Sequence, residues 1–222
     1  MSYSQQAKKN STSISLVIDT STSPIQVGIP NSKGWKFIAK TEQQALEGLF
    51  SITEKVLKEN QNVISDLTSI FFCEGPGSTL GLRIASAFVK TIKWRKNDSN
   101  FPIFSYNALD LAAMLTPSRE SIIQAPFRVG FRFVRIPNVD PIKSEKKIVS
   151  EKEATEQFPN SFHIQDIRKR SKINFQKTLI YDLSKIKGLS DLKIISKPCE
   201  HIKPYNPKAP EFKKWSPNFL KK

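Results

Sequence analysis

Three short apolar runs open the patterned part of the chain. Ser15-Leu16-Val17-Ile18 ends at Asp19 and is followed by the polar turn Thr20-Ser21-Thr22-Ser23-Pro24. Ile25 to Ile29 is closed by Pro30-Asn31-Ser32-Lys33-Gly34, and Trp35 to Ala39 follows. Apolar runs of this length, separated by turn-forming residues, predict three strands paired as an antiparallel meander. From residue 42 to 59 the period changes: Leu46, Leu49, Phe50, Thr53, Val56 and Leu57 recur at three- and four-residue steps among charged residues, which predicts an amphipathic helix. Asn60-Gln61-Asn62 ends it. After a connector, Val63 to Leu67, the run Ser69-Ile70-Phe71-Phe72-Cys73 predicts a buried strand. The glycine-rich stretch Glu74 to Arg83 then feeds a second helix from about Leu82 to Lys96, with Ala85, Phe88, Val89 and Ile92 on one face. The order β-β-β-α-β-α predicts a layered α/β domain.

The pattern weakens downstream. Pro102 to Tyr106 predicts a strand, and Asn107 to Leu115 a helix stopped by Thr116-Pro117-Ser118. Ser121 to Ala125 and Val129 to Ile136 predict two strands, the second alternating Phe131 and Phe133 with Arg132 and Arg135. Residues 137–174 are polar apart from a short helical segment at Lys152–Phe158, and 175–197 hold helix and strand fragments without a clear register. The expected organisation is a flexible leader (1–13), an N-terminal α/β lobe (14–106), a C-terminal α/β lobe (107–200) and an extended, proline-bearing tail (201–222). No repeat of fixed period is visible.

Composition changes this picture in two ways. The 222 residues contain only two cysteines and two histidines, which leaves no disulfide framework and no histidine-rich metal centre. No run approaches the roughly 18–20 apolar residues of a membrane span, and the leader lacks the apolar core of a secretory signal, so a cytoplasmic location is expected. The net charge of +15 is uneven. Residues 1–106 carry 12 Lys/Arg against 8 Asp/Glu, whereas 107–222 carry 23 against 12. A basic second half, including Arg168-Lys169-Arg170-Ser171-Lys172, attracts polyanions such as RNA or an acidic protein. It is also what a solvated lysine-rich surface looks like.

The chemistry-bearing residues are few. Gly75, Gly77 and Gly81 free the backbone to turn sharply before a helix, where exposed N–H groups and the dipole favour an anion. Ser78 in the same loop is a further anion candidate, and Arg83 could add a fork of donors to a phosphate. The spacing matches neither the Walker loop nor the dinucleotide fingerprint, and a purely structural strand-to-helix turn fits it as well. Asp19, at a strand end, is a place for a catalytic or metal-binding carboxylate, or for a cap of the Thr20-Ser21 turn. Cys73 reads as a buried small hydrophobe. His163 and His201 have no visible partner for nucleophile–base chemistry. Trp215 with Phe212 and Phe219 could stack on bases or pin the tail to its own domain.

Together, Leu16-Val17-Ile18-Asp19-Thr20-Ser21-Thr22, the helix from Glu42, and Glu74-Gly75-Pro76-Gly77-Ser78-Thr79-Leu80-Gly81-Leu82-Arg83-Ile84 resemble the TsaB family of tRNA threonylcarbamoyladenosine biosynthesis proteins, glycoprotease-like and regarded as inactive metallopeptidase homologues. The resemblance covers residues 14–95. It departs at Thr79-Leu80, where the family usually has Phe-Thr, and at Lys40-Thr41-Glu42, where the family often has His-Ser-Glu.

The resemblance implies an actin-like ATPase, ribonuclease H-like fold of two α/β lobes with mixed sheets. It implies a non-catalytic scaffold subunit that pairs with a TsaD paralogue, joined by a TsaE ATPase, in the complex forming threonylcarbamoyladenosine next to the tRNA anticodon. The family's pairing surface is the first two helices, which here present Leu46, Leu49, Phe50, Thr53, Leu57, Ala85, Phe88, Val89 and Ile92. No metal and no cofactor is expected, since the helix from Glu42 to Asn60 holds no histidine where the catalytic paralogue has a His-X-X-X-His pair. Self-pairing without the paralogue, and tRNA contact through the basic second lobe, stay open. Two alternatives stand beside this one: an ATP/Mg-dependent transferase of the same fold using Asp19 and the glycine loop, and a basic RNA-binding module steering tRNA.

Overall fold

A computed structural model describes residues 13–165 and 177–206. The first half follows the predicted order: β1 (Ile14–Asp19), β2 (Ile25–Pro30), β3 (Trp35–Thr41), α1 (Ala45–Glu59), β4 (Leu67–Gly75), α2 (Thr79–Lys96) and β5 (Ile103–Asn107). Next come α3 (Ala108–Met114), β6 (Ile123–Arg128), β7 (Phe131–Ile136), β8 (Glu145–Ser150), α4 (Glu151–Gln157), β9 (Phe162–Ile164), β10 (Thr178–Leu179), α5 (Leu189–Ile195) and β11 (Ser196–Pro198).

These strands form two mixed sheets. The first has the order β11-β5-β4-β1-β2-β3 and the second β10-β9-β6-β7-β8. In the first, β1, β2 and β3 make the antiparallel meander, β4 lies parallel to β1 and β5 parallel to β4. In the second, β6, β7 and β8 make a meander, β9 lies parallel to β6 and β10 parallel to β9. The two sheets therefore share one strand plan, with β11 added antiparallel at the edge of the first.

Strand β1 is buried at all six residues, as expected of a strand covered on both faces. Leu16 and Ile18 point into a core with Val27, Leu49, Val56, Phe72, Ala85 and Val89 beneath α1 and α2. Val17 points the other way, into a core with Phe71, Cys73, Leu109, Ile123 and Leu192 that joins the two sheets through α3 and α5. The period-two alternation of the strand thus serves two cores at once. Segment 181–186 stitches the sheets together. The buried Gln26 side chain donates to the Tyr181 carbonyl and accepts from the Leu183 N–H, and the Trp35 indole donates to the Ile186 carbonyl.

Local chemistry sets the helix ends. Ser78 caps α2 by accepting from the Gly81 N–H at 3.3 Å, and Asn97 closes it in the left-handed region at φ +49. Lys93, Arg95 and Lys96 in the last turn oppose the negative end of the helix dipole. Among the described residues no helix is long and apolar enough to cross a membrane.

Candidate functional site

Asp19 ends β1 just before the Thr20–Ser23 turn that lines the cleft, and it is 1% exposed. Its Oδ1 accepts from the Ser21 N–H at 2.8 Å and the Ser21 hydroxyl at 2.6 Å. Its Oδ2 accepts from the Tyr106 hydroxyl at 2.8 Å and the Tyr181 hydroxyl at 2.7 Å. Burial, and then the Asp19 charge, push both phenols well above the ordinary tyrosine range, so they stay protonated and keep donating. Tyr106 comes from β5 and Tyr181 from the segment beyond β10. The carboxylate is therefore clasped from both halves of the molecule. Sequence reading does not single out either tyrosine, and Tyr181 lies 162 residues from its partner.

The glycine loop is packed against the same turn. Gly75 adopts φ +116, which only glycine takes easily. A Cβ on Gly77 would sit 2.2 Å from the Ser21 carbonyl oxygen, and one on Gly81 would sit 2.3 Å from that of Thr20. The Ser78 N–H donates to the Ser21 carbonyl at 2.7 Å, and the Gly81 N–H is taken by the Ser78 cap. Two of the N–H groups that could cradle an anion are thus engaged within the protein. The remaining cleft, lined by Thr20, Ser21, Gln43, Gly77, Ser78 and Gln165 among others, holds about 200 Å³ and no charged side chain among the described residues. That is below the roughly 300–1,000 Å³ of a typical small-molecule site. Arg83 is exposed on α2 and does not line this cleft.

The helix pair divides the predicted pairing residues. Leu49, Thr53, Leu57, Ala85, Phe88, Val89 and Ile92 are all buried. Leu46 and Phe50 remain 59% and 54% exposed. Phe50 stacks edge-on against Phe88 with ring centres 5.0 Å apart. Between α1 and α2 runs a groove of about 740 Å³ whose walls include Phe50, Leu57, Val63, Phe88 and Ile92. Leu80 and Trp94, which sequence reading passes over, are also exposed on α2. Their signal was available: Leu80, Ala87 and Trp94 repeat at seven-residue steps, two turns of helix, and so share a stripe.

Cys73 is buried, and burial and then the Asp19 charge push its thiol well above the ordinary range, so it is no nucleophile. His163 is buried with Nδ1 3.3 Å from an Arg132 guanidinium nitrogen and Nε2 3.3 Å from the Ser161 hydroxyl. Burial, and then the Arg132 charge, hold its pKa down to about 3. His201 is exposed. No cluster of three or more His, Cys, Asp or Glu able to hold a metal occurs among the described residues. The 168–172 basic run, the leader to residue 12, and Phe212, Trp215 and Phe219 lie outside the described residues.

Comparison with known proteins places this geometry. The sequence profile of the family described as TsaD, tRNA N6-adenosine threonylcarbamoyltransferase, matches residues 39–130. No curated protein sequence matches the chain. Among solved structures, YeaZ from Pseudomonas aeruginosa superposes with a TM-score of 0.63 at 16% identity, covering 88% of this chain and 100% of that one. An uncharacterised protein with similarity to peptidase YeaZ from Pseudomonas aeruginosa superposes with a TM-score of 0.57 at 16% identity, covering 82% and 89%. The fold is of the ribonuclease H-like, actin-like ATPase class, as expected. Within that fold, residues 39–130 are similar in sequence to the TsaD family and the architecture as a whole is similar to that of YeaZ.

Proposed function

We propose that the chain is a non-catalytic scaffold subunit of tRNA threonylcarbamoyladenosine formation, pairing with a TsaD-like paralogue through the outer face of α1 and α2, with a TsaE-like ATPase joining the pair. The observation that carries this reading is the pair Leu46 and Phe50, large apolar side chains left more than half exposed beside an apolar groove. Burying the exposed parts of two such side chains is worth roughly 1–2 kcal/mol each, and a few such anchors dominate a stable interface. The non-catalytic part is supported by the opposite state of the cleft. Asp19 gives its acceptor sites to Ser21, Tyr106 and Tyr181, and the residual space is small and has no charged side chain among the described residues that line it.

The test is size-exclusion chromatography with light scattering on the chain mixed with the TsaD-like paralogue of its own genome. Leu46→Asp and Phe50→Asp are the informative variants, because both positions are exposed, whereas the same change at Leu49 or Phe88 would strike the core. A one-to-one complex from the wild type, lost in both variants, is expected. A wild type that elutes separately from the paralogue would refute the reading.

A further inference from the structure

The end of β6 carries a cation that the fold itself does not use. Beyond residue 107 the described residues include four arginines, and three of them are held: Arg119 by Asp191, Arg132 by Glu151 and His163, and Arg135 by Asp110. The fourth, Arg128, is exposed and makes no ion pair and no side-chain hydrogen bond among the described residues. Its guanidinium is nonetheless held in place. The central carbon sits 4.3 Å from the centre of the Phe131 ring and 5.8 Å from that of Phe127. The backbone builds this aromatic seat. Pro126 pairs with Arg132 and Arg128 with Phe131, so Phe127 is one residue extra on β6. A bulge of this kind bends the strand and re-aims its side chains, commonly beside a functional site. Phe127 packs on Phe133 with ring centres 4.6 Å apart, and Phe133 belongs to the core that joins the sheets. The hairpin tip stands clear: Val129 is 78% exposed, and a Cβ on Gly130 would meet nothing within 4 Å. A neighbouring carboxylate, Glu151, whose N–H donates to the Gly130 carbonyl, is turned to Arg132 at 3.8 Å.

Position adds to this chemistry. The parallel pairs β1 with β4 and β6 with β9 end around the cleft, which is lined by Thr20–Ser23, Pro76–Ser78, Pro126 and Gln165. The carboxyl ends of such strands are where α/β sheets take their ligands, and Arg128 follows Pro126 by two residues. Resting on the tRNA-modification reading above, we propose that the β6–β7 hairpin takes an unpaired nucleotide of RNA. The base stacks on the face of the Arg128 guanidinium turned away from Phe131, and a phosphate of the same strand meets its edge. Unpaired bases stack on guanidinium planes, and the fork of donors suits a phosphate. Because Phe131 already holds the plane, less side-chain freedom is lost on binding. A lysine would bring the charge without the plane. An acidic peptide would use the edge of the group and leave its stacking face idle, so single-stranded RNA is the occupant that uses both.

The experiment titrates the full chain into a short fluorescent single-stranded RNA, followed by anisotropy over a series of salt concentrations. The same sequence as a duplex and polyglutamate serve as competitors. The wild type is compared with Arg128→Ala, Arg128→Lys and Lys143→Ala, the last an exposed cation beyond the opposite end of β7; circular dichroism checks each fold. Arg128→Ala should bind about tenfold or more weakly, with a log–log salt slope smaller by about 0.7. Arg128→Lys should keep the slope and still lose about fivefold, the part due to stacking. Lys143→Ala should bind as the wild type does. A photo-crosslinking uridine analogue in the RNA should mark the peptide that holds residues 126–131. An affinity unchanged in Arg128→Ala, or lost equally in Lys143→Ala, would overturn the inference, as would crosslinks confined to other peptides. Displacement by polyglutamate or duplex as readily as by unlabelled single strand would overturn it in favour of a charge contact alone. Any of these results, beside an intact complex with the TsaD-like paralogue, would leave the docking reading standing. The hairpin contact in a chain that ignores the paralogue would refute that reading and keep this one.

Discussion

The cleft and the helical face are built from opposite choices. In the cleft, the groups that typically do chemistry are turned on each other. The Asp19 carboxylate takes four protein hydrogen bonds, the Ser78 N–H is given to Ser21, and Gly77 and Gly81 lie where a Cβ would strike backbone. On the helical face, Leu46, Phe50, Leu80 and Trp94 stay largely exposed. A buried polar network is stabilising only when fully satisfied, and an exposed apolar patch is the ordinary mark of an interaction site. Polar groups near the cleft are thus used up in joining the two halves of the molecule, whereas α1 and α2 leave large apolar side chains facing solvent among charged ones.

Substitutions in the two regions should act differently. The largest effect is expected from Asp19→Ala, which strands the Tyr106 and Tyr181 hydroxyls without their acceptor. Unfolding in urea should show a loss of roughly 2–6 kcal/mol, since each buried orphan costs about 1–3 kcal/mol. Gly77→Ala comes next, because its methyl meets the Ser21 carbonyl at 2.2 Å. Overpacking of this kind costs about 1–3 kcal/mol, and the same denaturation curve would register it.

Acid should act through His163. Its folded pKa is about 3 against 6.5 for the free side chain, so between these values the unfolded chain binds a proton that the folded chain refuses. Stability must therefore fall as pH drops from about 6.5 towards 3. Thermal melts across that range should show the slope, and His163→Gln should flatten it. The smallest change in stability belongs to Leu46→Asp. At a position 59% exposed it should stay within about 0.5 kcal/mol of the wild type, while binding of the paralogue is lost in calorimetry.

The first half was legible because each of its elements carries a strong local pattern. Apart from Ser15, the six-residue β1 is apolar up to Asp19, and the stripes of α1 and α2 have helical period; the ends moved by two or three residues, α1 starting at Ala45 instead of Glu42, α2 at Thr79 instead of Leu82, and β4 running from Leu67 to Gly75 instead of Ser69 to Cys73. The second half was harder for physical reasons. Strand β8, Glu-Lys-Lys-Ile-Val-Ser, lies at the edge of its sheet and is only partly buried, so it lacks the hydrophobic alternation of a core strand. Strands β9, β10 and β11 are two or three residues long, too short for any period to show. In β7, alternation with phenylalanine reads Arg132 and Arg135 as a polar face, yet both are 1% exposed. Arg135 is held by Asp110 at 2.7 Å, a contact between residues 25 apart that no local window contains. At the cleft, Asp19 and the glycines could be picked out by type and position. Their clasp could not, because Tyr106 and Tyr181 reach Asp19 only through the pairing of strands and halves.

The most direct measurement is hydrogen exchange read by mass spectrometry on the chain alone and on the chain with its TsaD-like paralogue. Added protection is expected in the peptides of α1 and α2, centred on residues 46–50 and 80–94, with those of the 19–24 turn and the 75–78 loop unchanged. Protection confined to the turn and the loop, with α1 and α2 exchanging as before, would contradict the docking reading.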